Sequence, residues 1–408
     1  MIKKNKKIIV PGDGFIGWVG GVDFLCNLLS ALNYDLVDIR YDVYLLLSSN
    51  STVARINRGL RSLIRSLFLM KFDLSGFNKI EYRNLDVVVR GRFSQISIIF
   101  FDGTNYSYRK VLKKYNPDVI FPCTRVHNAQ FKIPWIGYFA DIQHKKFPEF
   151  FSKKEIKRRD IFFQKMVSNA KHIIVNSKSA KNDINRYYKN LDCQIYALPF
   201  SPIPHPDWFS SNLNGIEKYN LPKNFFLVSN QFWRHKNHIT AFKALKILNE
   251  ECLENNFSIV CTGDIYDDRD PEYYINLRKE IISLGLSKEI VFLGYIPKSD
   301  QIEVMKNSIC LIQPTLFEGG PGGGAVYDAL SVGVRVIVSN IEVNLEIEAE
   351  DVIFFEASDS SDLAQKMQLV ARNLNHKVEV EIQQERGKKR LQVLSRFLAN
   401  IIEDATNS

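Results

Sequence analysis

Two carboxylates bracket the densest glycine run in the chain: Glu318 precedes Gly319, Gly320, Gly322, Gly323 and Gly324, and Asp328 follows them. Residues 313–324 hold five glycines and two prolines in twelve positions, which no helix or strand interior tolerates, so the stretch is a loop with a special backbone. The apolar run Ile309 to Ile312 before it reads as a buried strand, and Ala325 to Val332 after it has helical spacing, with Val326, Ala329 and Leu330 on one face. Gly333 suits the left-handed position that ends a helix, and Val334 to Val338 is β-branched strand. A loop that ends at a helix N-terminus offers unpaired amides and the positive end of the helix dipole, and glycine lets an anion come close to the backbone. That describes a phosphate site, with an acid on each side to accept hydrogen bonds from hydroxyls. A nucleotide sugar carries both kinds of group.

Two cations belong to the same picture. Arg234 and Lys236 follow the apolar strand Phe225 to Ser229 and project at the cleft edge that the glycine loop occupies. A guanidinium and an ammonium there stabilise the charge that grows on a departing diphosphate, so no metal is expected. On the other side of the chain, the strand Pro134 to Asp141 empties into Ile142-Gln143-His144 and then FPEFF at 147–151. Ligands of open α/β sheets bind outside the carboxyl ends of strands, which places Asp141, Gln143 and His144 where a cleft residue belongs.

Phe317-Glu318-Gly319 followed by Asp328-Ala329-Leu330, Gly333 and Ser339-Asn340 resembles the donor site of family-4 retaining glycosyltransferases, whose motif is Glu-x7-Glu. Here nine residues separate the acids and the second is Asp, so the loop carries a two-residue insertion. The family usually has Arg and Lys five apart after the first C-terminal strand; Lys236 fits, Gln231 stands at the Arg position, and Arg234 is the substitute. Gly20-Gly21 match a glycine pair that lines the cleft floor, and Asp141 and His144 match the family's strand-end Asp or His beside the transferring sugar. The resemblance is closest over residues 225–345, looser over 134–190 and faint over 35–110. It implies an α/β chain of GT-B architecture, two doubly wound Rossmann-like domains facing across a cleft, that moves a sugar to a hydroxyl of a glycan or lipid-linked acceptor with retention. It also implies roles: Glu318 on sugar hydroxyls, Asp328 on the ribose, Lys236, Gly320 and Gly322 to Gly324 at the diphosphate, and His144 or Asp141 at the sugar from the opposite wall. A bacterial surface-polysaccharide enzyme, cytoplasmic and peripheral to the inner face of the membrane, is the setting the resemblance suggests.

The elements that must position these residues follow from length and period. At 408 residues with 45% apolar content the chain exceeds one core, so two domains are expected. They are an acceptor-side unit over 1–205 and a nucleotide-sugar unit over 206–375, followed by a charged amphipathic helix over 376–408. Prolines 199, 202, 204, 206 and 222 mark the linker. Strands expected near 6–10, 85–89, 96–101 and 119–121 alternate with helical segments, as in a parallel sheet. GDGFIG at 12–17 matches a dinucleotide fingerprint, yet Gly17, Gly20 and Gly21 break any helix until about Val22, and the loop is too long for that use.

Charge is divided. Residues 1–205 hold 33 of the 54 Lys and Arg and 16 of the 45 Asp and Glu, a net +17, which leaves −8 for the rest. The basic half should face an anion. Arg55, Arg58, Arg61 and Arg65 fall at helical spacing in the stretch 53–72, a solvated basic face or a helix that lies on an anionic membrane. The six cysteines are scattered without a Cys-x-x-Cys pair, which suits reduced buried thiols and no zinc. Ile8 to Val10 is too short for a signal peptide, and no run reaches the length of a membrane span. Two rivals share parts of this pattern: a nucleotide-sugar epimerase of the same fold, and a basic nucleic-acid binder. Interleaved aromatic and basic residues that would stack bases are not seen, so nucleic acid is not the expected partner.

Overall fold

The computed structural model describes residues 5–16, 19–34, 40–48, 85–128, 130–189, 191–209, 217–252, 256–267, 269–373 and 378–407. The basic stretch with Arg55, Arg58, Arg61 and Arg65 lies outside these residues. The first unit runs β1 (Lys6–Pro11), α1 (Val19–Leu32), β2 (Tyr41–Ser48), α2 (Leu85–Arg92), β3 (Ser97–Phe101), α3 (Asn105–Tyr115), β4 (Val119–Cys123), β5 (Trp135–Tyr138), α4 (Gln143–Lys146), α5 (Lys153–Asn169), β6 (His172–Val175), α6 (Lys178–Tyr187) and β7 (Gln194–Ala197). Its seven strands are all parallel in the order β3-β2-β1-β4-β5-β6-β7. The second unit runs β8 (Phe225–Ser229), α7 (His238–Glu251), β9 (Ser258–Thr262), α8 (Tyr273–Ser283), β10 (Ile290–Gly294), α9 (Lys298–Asn307), β11 (Leu311–Gln313), α10 (Gly323–Ser331), β12 (Val336–Ser339), β13 (Val352–Phe355) and α11 (Ser360–Arg372). Its six parallel strands have the order β10-β9-β8-β11-β12-β13. Both sheets thus share one doubly wound order, which reverses between β1 and β4 in one and between β8 and β11 in the other.

Strands such as β4 and β8 are buried along their whole length, because helices cover both faces of each sheet. In the first unit Leu25, Leu28, Leu29, Val43, Val89 and Phe121 fill one face, and Phe101, Phe163, Met166 and Ile173 the other. The last helix, α12 (Val380–Asn407), leaves the second unit and sets Leu394, Leu398, Ile401 and Ile402 into the core of the first.

Two elements differ from expectation. Residues 85–89 form helix α2, not a strand: Leu85 and Val89 are buried one turn apart while Val87 is exposed, so the period is helical. Helix α1 begins at Val19 and contains Gly20 and Gly21, where a start near Val22 was expected. Glycine lowers helix stability by about 1 kcal/mol, and the buried face of Leu25, Leu28, Leu29 and Leu32 outweighs it.

Candidate functional site

The loops at the order reversal of the second sheet carry the charged pair. Lys236 ends a short 3-10 turn after β8, Glu318 lies in the loop after β11, and the ammonium meets Glu318 Oε1 at 2.5 Å with both side chains about nine-tenths enclosed. Gln313, at the end of β11, donates from Nε2 to Glu318 Oε1 at 2.8 Å and to the Gly322 carbonyl at 2.9 Å. Its own oxygen accepts from Asn230 Nδ2 at 2.6 Å. Two side chains, Lys236 after β8 and Gln313 at the end of β11, therefore hold one carboxylate, and Asn230 orients Gln313. Neither Gln313 nor Asn230 disclosed this in the sequence, since an amide in or beside an apolar strand reads as ordinary core.

The glycine loop is shaped by what surrounds it. Gly322 (φ +68°) and Gly323 (φ +69°) adopt the left-handed conformation, and a Cβ on Gly323 would lie 3.0 Å from Glu318 Oε2. A Cβ on Gly319 would lie 2.8 Å from Asp141 Oδ2 and 3.2 Å from the Ala140 carbonyl, so the loop passes directly against the end of β5 in the other domain. A Cβ on Gly320 would meet Asn176 at 3.1 Å, whereas Gly324 faces open space. The Gly322 amide is taken by Asn344 Oδ1 at 2.9 Å and the Gly323 amide by the Gly320 carbonyl at 3.2 Å, which leaves Gly324 and the rest of the first turn of α10 to meet a ligand.

Asp141 is thus brought to Glu318 and Lys236 across the domain boundary. Loss of solvent raises its carboxyl above the usual range and the Glu318 charge adds to this, while the Gln143 amide, Arg159 and Lys236 oppose it. Other expected residues are placed differently. His144 is enclosed, with Nε2 at 2.9 Å from Asp160 Oδ1 and its ring stacked on Phe163, and burial lowers its pKa against the pull of Asp160. Arg234 is two-thirds exposed and pairs at 3.7 Å with Asp270, in a cleft with Glu149, Phe150 and Arg269, apart from the Lys236–Glu318 pair. Gln231, three residues before Arg234, is half-buried. Asp328 is buried on α10, and its carboxylate is bonded by Lys298 from the start of α9; the same ammonium lies 3.3 Å from Asp23 of α1, just past Gly20 and Gly21. The ribose acid expected from the motif therefore has a basic partner that sequence spacing did not reveal.

The domains also touch through backbone. Glu346 accepts from the Lys178 and Ser179 amides at 2.7 and 2.6 Å, capping α6 from the opposite domain, and Ser177 donates to the Gly319 carbonyl at 3.0 Å. Among the described residues no group of three or more His, Cys, Asp or Glu is placed to hold a metal ion, and no helix is long and apolar enough to cross a membrane. Among the described residues none of the six cysteines forms a disulfide.

Residues 212–388 match the family described as Glycosyl transferases group 1. No curated protein matches the chain in sequence. Among solved structures the chain is similar to HepE of Anabaena in complex with UDP and glucose, with TM-score 0.63 and 13% identity over 98% of this chain and 100% of that one. It is likewise similar to sucrose-phosphate synthase of Thermosynechococcus elongatus (TM-score 0.60, 13% identity, 98% and 97% covered). A third is the lipopolysaccharide outer core galactosyltransferase WaaB in its apo form (TM-score 0.54, 14% identity, 98% and 99% covered). The fold is GT-B, and the family match over the second domain supports sugar transfer.

Proposed function

We propose that the chain is a family-4, retaining glycosyltransferase that moves a sugar from a nucleotide sugar to a hydroxyl of a glycan or lipid-linked acceptor, without a metal. The observation that carries this is the enclosed Lys236–Glu318 pair, set at the order reversal of the matched domain, beside a glycine loop and a helix N-terminus, and faced by Asp141 from the other domain. When a donor enters, its diphosphate competes for Lys236 and the first turn of α10, and Glu318 turns its released oxygen to sugar hydroxyls. Departure of the diphosphate leaves an oxocarbenium-like sugar, so charge stabilisation at the leaving group is the larger catalytic effect. Asp141, rather than the enclosed His144, forms the wall beside the sugar, and His144 holds that wall through Asp160. Asp328, whose carboxylate Lys298 bonds, accepts from the ribose.

HepE was solved with UDP and glucose, and WaaB acts on the lipopolysaccharide outer core, so UDP-sugars come first among donors and a surface glycan or its lipid-linked precursor among acceptors. A role at the inner face of the membrane in surface polysaccharide synthesis goes with that choice. The test is a thermal-shift panel of nucleotide sugars and free nucleotides, followed by transfer assays with the stabilising donor. Product should form in excess chelator; complete inhibition reversed by magnesium would show that an ion neutralises the diphosphate. Conversion of donor alone to another nucleotide sugar would assign an epimerase instead.

A further inference from the structure

Because both sheets share one strand order, each domain has its own crevice where that order reverses. In the second domain that crevice holds Lys236 and Glu318. In the first, the equivalent loops carry Asp13, two residues past β1, and Arg125, two residues past β4. They make a basic and acidic pair of a different kind. Arg125 Nη2 lies 3.9 Å from Asp13 Oδ2, too long for a hydrogen bond, and each side chain is about one-third exposed. Asp13 is held in place by the Ser48 amide, which donates to Oδ1 at 2.9 Å. Arg125 is held by rings: its guanidinium lies over Phe101 at 5.5 Å and over Tyr108 at 4.8 Å from the centroids. Its donors make no hydrogen bond among the described residues.

A guanidinium that is two-thirds enclosed and clamped on aromatic faces, with its donors unused, differs from a solvated surface arginine, which gains its hydrogen bonds from water on all sides. The loops around it are rigidly apposed. Gly14 packs so closely on Thr124 that a Cβ there would lie 2.2 Å from the Thr124 hydroxyl, which fixes the β1 loop against the β4 loop. The neighbouring His127 stacks on Phe131 and is kept neutral by burial, its pKa pushed down to about 4, so it adds no cation that would compete for the same anion.

We infer that Arg125 and Asp13 form an oxyanion subsite, in which the Arg125 fork binds a phosphate or carboxylate carried by the acceptor and the loose contact with Asp13 is exchanged for it. The word acceptor rests on the glycosyltransferase reading; the anion site itself does not. It follows that the acceptor is charged, a phosphorylated or acidic glycan, and that a neutral sugar binds poorly.

The probes are methyl phosphate, glucuronate and glucose, titrated into the full chain with and without saturating UDP and followed through the arginine side-chain NMR signals. Methyl phosphate or glucuronate should shift the Arg125 resonance, glucose should not, and which anion binds more tightly names the source of the charge. Arg125→Met, which keeps an apolar stem over the two rings, should weaken the anion at least tenfold, whereas Asp13→Asn should tighten it severalfold by removing the competing carboxylate. Unaltered UDP binding in both variants checks that they are folded. No response to either anion in the wild-type chain, an equal response to glucose, or undiminished binding in Arg125→Met would overturn the subsite. Failure of UDP to bind the wild-type chain would instead count against the donor reading and leave the Arg125 titration standing.

Discussion

Glu318 serves two ends at the scale of the residue: it is a hydroxyl acceptor in the proposed reaction and the counter-charge of an enclosed Lys236. Glu318→Gln keeps the size and loses the charge, so turnover should fall at least about tenfold, equivalent to ~1.4 kcal/mol of transition-state stabilisation. The same change leaves an ammonium without its partner, and urea unfolding should show a loss of stability on the order of 1–3 kcal/mol. Full turnover in that variant would take Glu318 out of the site. The glycines divide as sharply. Gly319→Ala should lower the melting temperature, because its methyl group would meet Asp141 and a backbone carbonyl. Gly324→Ala should leave the melting temperature of the free protein almost unchanged, because a methyl group there meets open space, and, on the proposed donor site, should weaken UDP severalfold. Equal behaviour of the two alanine variants would contradict this placement.

Residue types and local spacing singled out Glu318, Lys236 and Asp141, which the structure brings together, because a strand end in a parallel sheet points at the cleft whatever the rest of the fold does. Lys298 on Asp328 and Gln313 on Glu318 were not legible, since each depends on how two loops from distant parts of the chain approach one another. The same reason hid the outward turn of Arg234 to Asp270.

Among elements, the start of α7 has a consequence for acid stability. His238 is fully enclosed and stacked on Phe232, and burial, with Lys236 adding, pushes its pKa down to about 3. An unfolded histidine titrates near 6.5. Between those values the unfolded chain binds a proton that the folded chain refuses, so stability is complete above about pH 6.5 and is lost as pH falls towards 3. His235, also driven down by burial, acts in the same direction. The drop in melting temperature from pH 7 to pH 5 should shrink in His238→Phe, which keeps the ring stack; an unchanged drop would place acid sensitivity elsewhere. Element reading from sequence succeeded where period and length agreed, as for β8 and the long last helix, and failed for α2, whose five apolar or small residues look alike as strand or helix until the exposed Val87 breaks the tie.

For the molecule as a whole, the division of charge makes a prediction about surfaces. The first half carries +17, and four of its arginines, Arg55, Arg58, Arg61 and Arg65, share a helical spacing with Leu67, Phe68 and Met70 close by. Charges near an anionic bilayer are worth about 1 kcal/mol each, and a short apolar face adds to them. Binding to anionic vesicles should therefore be salt-sensitive and should weaken when Arg58, Arg61 and Arg65 become Glu, while UDP binding in the other domain is unchanged. Equal sedimentation with neutral and anionic vesicles would leave those arginines as a solvated face.

Helix α12 carries a further consequence, for synthesis rather than catalysis. Leu394, Leu398, Ile401 and Ile402 belong to the core of the first domain but are translated after the whole of the second. While the ribosome is still making the second domain, the first has a hydrophobic seat exposed beside α1 and cannot reach its final packing. The order of maturation is thus reversed with respect to the order of translation: the second domain can close its core first, and the first is sealed only when the last helix emerges. A released chain truncated after residue 379 should accordingly show a protease-sensitive first domain beside a protected second one.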